Sequence, residues 1–203
     1  MSEVELLAIH GLVVKKAGSA AAVAQILGAD ETEIAGALDA AVADGRVIGA
    51  TGKFMVTPAG RAWLDERYAE AYAVLRNDPA AGEAYERFER INRQLLELMT
   101  DWQMVPAGAE RVPNDHHDAD YDHKIIDKLG ALHERAHRPL EQFAALQPRL
   151  GQYQTRLESA YDKALAGDHD WVSGARIDSY HTVWFELHED LLRILGRERE
   201  EPA

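Results

Sequence analysis

Nine histidines, all but His10 lying between positions 116 and 188, are the groups in this chain best suited to chemistry near neutral pH. Imidazole titrates in that range and ligates transition metals through either nitrogen. Three groupings matter. The run Asn114-Asp115-His116-His117-Asp118-Ala119-Asp120-Tyr121-Asp122-His123 packs four aspartates and three histidines into ten residues. Such donors can hold a divalent cation, with Asp118, Asp120 and His123 as the nominal ligands. The run lacks the glycine and closing glutamate of an EF-hand. Its carboxylates also suit a helix N-terminus, where they cap amides and complement the dipole, and that is the stronger reading.

The second grouping, His133-Glu134-Arg135-Ala136-His137, fits the H-E-x-x-H string of zinc peptidases. There, two histidines one turn apart hold zinc and the glutamate activates water. Arg135 and Arg138 make this stretch more polar than such helices usually are. No motif marks a third ligand; Glu186 and Glu189 are the ones to test. The third grouping is the last helix, where Ile177, His181, Trp184, His188, Leu191 and Leu195 recur at spacings of four and three. That spacing predicts a core stripe containing two histidines. A core histidine costs free energy unless hydrogen-bonded, so pairing with Tyr or Asp of a neighbouring helix is the structural reading. The functional reading is a ligand pocket lined by His133, His137, Tyr180, His181, Trp184 and His188. Asp178-x-x-His181 and Glu134-x-x-His137 have the spacing of di-iron bundle sites, but the other carboxylates of such sites are not evident. A phosphate loop, a dinucleotide fingerprint and a G-x-S-x-G elbow are all missing. No cofactor is therefore expected. The question of catalysis stays open, with a subunit role favoured over an enzyme acting alone.

The elements that must position these groups are mostly helices. Helical spacing predicts a first helix from about Val4 to Lys16, with Leu6, Leu7, Ile9, Leu12, Val13 and Val14 on its apolar side. Gly18-Ser19 ends it, and Ser19 caps a short helix that stops at Leu27-Gly28. Asp30 with Glu33 opens a third helix like a capping box, with Ile34, Leu38 and Val42 as its buried stripe. Arg46–Gly49 and Lys53–Val56 read as strands joined by the turn Ala50-Thr51-Gly52. Thr57-Pro58 starts the next helix, running to about Arg76. Further helices are predicted from Pro79 to about Met104, from Ala119 to Leu146 with a kink at Pro139, from Pro148 to Gly167, and from Ile177 to Arg197. The stretch from Val105 to Asp115, rich in Pro and Gly, reads as a loop. The expected fold is mainly α: a winged helix-turn-helix domain over 1–64, followed by an antiparallel helical bundle over 65–203.

Charge limits what this fold can bind. The 203-residue chain carries a formal net charge of −13. Its first 62 residues hold seven carboxylates against five cations (Lys15, Lys16, Arg46, Lys53 and Arg61). The helix that would enter a DNA major groove contains Asp30, Glu31, Glu33, Asp39 and Asp44 and no Lys or Arg. DNA affinity comes mainly from cations that neutralise phosphates, so DNA is disfavoured as a partner and a membrane surface more so. The absence of cysteine removes disulfides, thiolate metal sites and a Cys nucleophile. The start of the chain has no cationic n-region, and no apolar run approaches the length of a membrane span, so a cytoplasmic location is expected. The Ala- and Arg-rich, Lys-poor composition suggests a bacterial source.

The string Phe54-Met55-Val56-Thr57-Pro58-Ala59-Gly60-Arg61 after Asp44-Gly45-Arg46-Val47 resembles the wing of MarR-like winged-helix proteins, across the first third of the chain. The segments DSYHTVWFELHEDLLRILG, VPNDHHDADYD and RINRQLLELMTDWQ resemble a helical region of actinobacterial proteins, where it follows a winged-helix segment. Those proteins are associated with phosphoenolpyruvate-utilising dikinases of the pyruvate, phosphate dikinase type. This resemblance implies an accessory or regulatory subunit, and it maps no catalytic residue onto the chain.

Three functions follow as expectations. The leading one is a non-catalytic protein-interaction or regulatory module, with a dikinase-type enzyme as its partner. The second is a MarR-like dimeric DNA-binding regulator, using Lys15, Lys16, Arg46, Lys53 and Arg61 on phosphates and the bundle pocket for an effector. The third is an enzyme subunit with a histidine-lined site.

Overall fold

The computed structural model describes residues 3–108 and 110–199. Among these the chain is mainly α, with ten α-helices and two small antiparallel sheets. It divides into two units: Met1–Asp78 together with Glu186–Ala203, and Pro79–Phe185. The expected domain boundary at 64/65 falls inside a helix, and the first unit also takes in the end of the chain. The reason is chemical. The end of the chain carries buried polar side chains whose partners lie near its beginning.

The first unit starts with α1 (Glu3–Lys15), α2 (Ala20–Leu27) and α3 (Glu31–Ala43). Ser19 caps α2 through Ala22 N–H, and Gly28 closes it in the left-handed region. Asp30 caps α3, accepting from the amides of Thr32 and Glu33. The strands β1 (Val47–Ala50) and β2 (Lys53–Val56) then pair in register from Val47↔Val56 to Ala50↔Lys53. Thr51 and Gly52, both at positive φ, make the tight turn that antiparallel strands of normal twist require. Gly18 pairs with Phe54 in both directions, at 3.1 and 2.8 Å, and so ties the hairpin to the α1–α2 link. α4 (Pro58–Ala71) opens under its Thr57 cap, and α5 (Ala73–Arg76) follows after a break at Tyr72. Gly60 is the one residue that fits its place in α4: a Cβ there would stand 2.1 Å from the carbonyl oxygen of Arg46.

The core of this unit is aliphatic. Ile9, Leu12, Val23, Ile26, Ile34, Leu38 and Leu64 are all essentially inaccessible to water. Val42, expected in the α3 stripe, is instead exposed, and Ala41 points inward. The last helix, α10 (Tyr180–Leu195), lends its residues from Glu186 onward to this unit. There Asp190 Oδ1 lies 3.0 Å from His10 Nε2, and His10 Nδ1 lies 2.7 Å from the Tyr68 hydroxyl, all three side chains being buried. Lys15 adds a second link from α1 to α10, with Nζ 2.8 Å from Glu186. The Arg76 guanidinium donates to the carbonyls of Ile194 and Arg193 at the α10 C-terminus, where helix carbonyls lack i+4 partners.

The second unit contains α6 (Pro79–Gln103), α7 (Ala119–Leu146), α8 (Gly151–Leu165), the short α9 (Asp170–Ser173) and the first residues of α10. The contacts Arg87–Gln142, Arg135–Gln94 and Tyr121–Asp101 run in opposite directions along α6 and α7, so this pair is antiparallel. His133–Glu158 and Gly151 against Ala144 show the same for α7 and α8. α7 continues through Pro139. The segment expected to be a loop after α6 forms a second hairpin, β3 (Met104–Ala107) and β4 (Glu110–Pro113). Two prolines obscure it in the sequence, but a short exposed hairpin tolerates them at edge positions. Phe88 stacks on Trp184 at 4.8 Å. The Trp184 indole N–H donates to Asn92, whose amide in turn donates to the buried Glu89.

The buried face of α10 includes Trp184, His188 and Leu191 of the expected stripe but differs in its other members. The spacing predicts burial of His181 and Leu195, yet both are only partly covered, whereas Tyr180, Val183, Leu187, Asp190 and Ile194 are fully buried. A periodicity of apolar residues misses this arc because Asp190 and Glu186 belong to it.

Asp190→Ala should lower unfolding stability by about 2–4 kcal/mol, because it removes the carboxylate that His10 faces inside the core. Urea denaturation at pH 7 checks this. Asp190→Asn, which keeps an acceptor, should recover part of the loss.

Candidate functional site

The residues with the greatest chemical capacity gather on α7 and α8. His133 and His137 lie one turn apart on α7 and so point to the same side. Their Nε2 atoms are 3.2 Å apart. Glu158 of α8 brings Oε2 to 3.0 Å from His133 Nε2 and 3.7 Å from His137 Nε2. Glu158 is the third group that the sequence did not mark. The glutamates proposed there lie elsewhere: Glu186 pairs with Lys15, and Glu189 with Arg193 at 2.5 Å. Nothing in the spacing of Glu158 signals its role, because the α7–α8 register alone brings it opposite His133.

Behind these groups stand two tyrosines. The Tyr180 hydroxyl is 3.3 Å from His133 Nδ1. Tyr161 stacks on the His133 ring at 4.9 Å. Gly130 leaves room for Tyr161, since a Cβ on it would meet the phenol oxygen at 2.2 Å. Burial holds the Tyr180 hydroxyl far above its ordinary pKa, and the Glu158 charge adds to the effect. Burial likewise raises Tyr161, helped by Asp127 and Glu134. Both phenols therefore stay protonated. The His133 side chain is 5 % exposed, whereas those of His137 and Glu158 are 40 and 50 % exposed. The cluster opens to solvent on one side and rests on aromatic rings on the other.

A second cluster forms where the β3–β4 hairpin runs into α7. Asp122 is 1 % exposed and faces His116 Nδ1 at 3.0 Å and His169 Nδ1 at 3.7 Å. Asn114 donates to the other oxygen of Asp122 at 2.8 Å and lies 3.2 Å from His116 Nδ1. Trp102 packs against both imidazoles. Each cluster, His133–His137–Glu158 and His116–Asp122–His169, could hold a metal ion. The three acidic-run residues named from the sequence do not form such a group. Asp118 caps α7 by accepting from Tyr121 N–H, while Asp120 and His123 are exposed. Asp122 is the carboxylate that turns inward.

The remaining sequence-derived residues serve other ends. Trp184 belongs to the core, held by Phe88 and Asn92. His181 is half-buried, and burial lowers its pKa. Asp178, its partner in the di-iron-like spacing, pairs instead with Arg156 at 3.1 Å. His188 lies in the first unit, where Arg199 reaches its Nδ1 at 3.4 Å. Burial, assisted by Arg199 and opposed by Glu189, drives its pKa down to about 4. Among the cations proposed for phosphate contact, Lys15 is paired with Glu186. Arg46 is gripped by Glu5 and Asp44 and lies over the Trp63 ring at 4.7 Å. Lys16, Lys53 and Arg61 are exposed. No described helix is long and apolar enough to cross a membrane.

No protein-family model, curated protein or solved structure matches this chain.

The His188 shift sets a pH dependence. An unfolded histidine takes up its proton near pH 6.5, whereas the folded one resists until about pH 4. The unfolded state thus binds more protons across that window. The stabilising effect is full above pH 6.5 and is lost as pH falls. Between pH 7 and pH 5 wild type should lose up to about 2 kcal/mol through this residue. His188→Leu should show a correspondingly shallower decline in urea melts at the two pH values.

Proposed function

We propose that this chain is a non-catalytic protein-interaction module. Its first three helices and the β1–β2 hairpin are read as a winged helix-turn-helix that docks on a basic protein surface. The observation that carries the reading is the charge of α3. Asp30, Glu31, Glu33 and Asp39 are exposed along it, and α3 contributes no Lys or Arg. Beside it, Glu33, Ala37 and Ala40 of α3, Val4 and Glu5 of α1, and Asp44 and Arg46 line a shallow groove, where Arg46 pairs with Glu5 and Asp44. With Glu5 and Asp44 engaged by Arg46, Glu33 is the carboxylate that the groove offers to a partner's Lys or Arg side chain.

The same charges argue against DNA. Phosphate contact needs available cations, and two of the five proposed, Lys15 and Arg46, are already paired with carboxylates inside the unit. Base reading needs donors from the third helix, which has no Arg, Lys, Asn or Gln. The resemblance of the helical segments to proteins associated with phosphoenolpyruvate-utilising dikinases supplies the partner we favour, a dikinase-type enzyme for which this chain is an accessory or regulatory subunit.

A pull-down from nuclease-treated lysate of the source cells, with bound proteins identified by mass spectrometry, should recover a stoichiometric dikinase-type enzyme. The double substitution Glu33→Lys/Asp39→Lys should weaken that capture at least tenfold, since like charges now meet across the contact. A parallel fluorescence titration with duplex DNA at physiological ionic strength should show no saturable binding. Recovery of the chain alone, together with tight DNA binding, would overturn the reading in favour of the dimeric regulator.

A further inference from the structure

We infer that His133, His137 and Glu158 form a zinc site in the helical unit, independent of the docking surface proposed above. Three observations support it. The first is spacing. Ligands at about 2.0–2.1 Å from a tetrahedral zinc stand about 3.3 Å from one another. The three donor atoms here are separated by 3.0, 3.2 and 3.7 Å, which is one face of such a tetrahedron.

The second is the proton balance. Neutral imidazole offers one N–H, and ionised glutamate only accepts. If His133 Nε2 carries the proton, it can be directed well at Glu158 or at His137, but not at both. If His133 Nε2 is bare, its lone pair faces the Glu158 carboxylate at 3.0 Å. No single tautomer satisfies all three edges. A divalent cation at the centre satisfies them together, because each atom then presents a lone pair to it.

The third is the support behind the ligands. The Tyr180 hydroxyl lies 3.3 Å from His133 Nδ1 and can accept from an Nδ1–H; that tautomer leaves Nε2 unprotonated and aimed at the cation, the arrangement that outer-shell partners impose on metal-bound histidines. Tyr161 fixes the plane of the same ring. His137 and Glu158 are half-exposed, so an ion can enter from solvent. With three protein ligands, the fourth position goes to water, as in open rather than closed zinc sites. Two nitrogens and one oxygen in this geometry suit zinc better than calcium or magnesium, which take six or more oxygens.

The other cluster is less suited. At His116–Asp122–His169 the Asn114 amide donates to Asp122 and to the Trp102 carbonyl, and His116 Nδ1 lies 3.0 Å from the other Asp122 oxygen, so hydrogen bonds account for those polar atoms without an ion.

The test is calorimetric titration of the full, untagged chain with zinc chloride. Cobalt substitution serves as the readout of geometry, through the visible bands of a tetrahedral ion. Wild type should take up zinc with a dissociation constant at or below about 1 μM. His137→Ala and Glu158→Gln, at half-exposed positions, should each weaken it at least tenfold with an unchanged circular dichroism spectrum. Tyr180→Phe should weaken it about tenfold to a hundredfold by releasing the His133 tautomer. His169→Ala should leave it intact. Absence of zinc uptake would overturn the site. So would binding that survives both His137→Ala and Glu158→Gln, or that disappears in His169→Ala.

Discussion

A carboxylate that is 1 % exposed must be answered by its neighbours, and Asp190 is answered by His10. That single requirement organises the first unit. His10 sits in the middle of α1, and its other nitrogen meets the Tyr68 hydroxyl on α4, so three helices remote in sequence are tied at one buried point. Aliphatic packing around Ile9, Leu12 and Leu64 supplies most of the burial, but it is non-directional and would tolerate sliding. The polar triad does not, because a shift of an ångström would leave a buried charge without its partner. The Lys15–Glu186 pair and the Arg76 cap on the α10 carbonyls add further directional ties within the same unit.

The histidines show how far one residue type can be differentiated by its surroundings. His10 is a structural member of a buried triad. His188 is kept neutral by burial and by the Arg199 charge. His133 is stacked and oriented by two protonated phenols, with its outer nitrogen directed at His137 and Glu158. His116 and His169 bracket the buried Asp122. Their clustering along the chain suggests a single pocket. In space they occupy several sites with different chemistry, and the pair on α7 opens to solvent beside a carboxylate from α8.

Charge follows a similar logic in the β-hairpin region. A fold order of three helices, hairpin and helix would suit DNA if its cations faced outward. Here Arg46, the cation at the start of β1, is drawn back onto Glu5, Asp44 and Trp63. The side chains on α3 that remain exposed are carboxylates, small residues and Val42, and none of them is a cation that could neutralise a phosphate.

Much of the local structure was legible in the sequence because its causes are local. Ser19, Asp30 and Thr57 cap the helices they precede, Thr51-Gly52 turns the hairpin, and Phe88, Ile91, Leu95 and Trp102 mark the buried face of α6. The acidic character of α3 is likewise a property of composition. Other features depended on register between helices, which no spacing within one helix encodes. Glu158 gives no signal until α7 and α8 are laid antiparallel. Asp122 looks like its exposed neighbours Asp118 and Asp120 until the helix turns it inward. The buried arc of α10 includes Asp190 and Glu186, which a hydrophobic pattern assigns to solvent. In each case a polar residue is buried because another element brings it a partner, and that pairing is decided only when the elements pack.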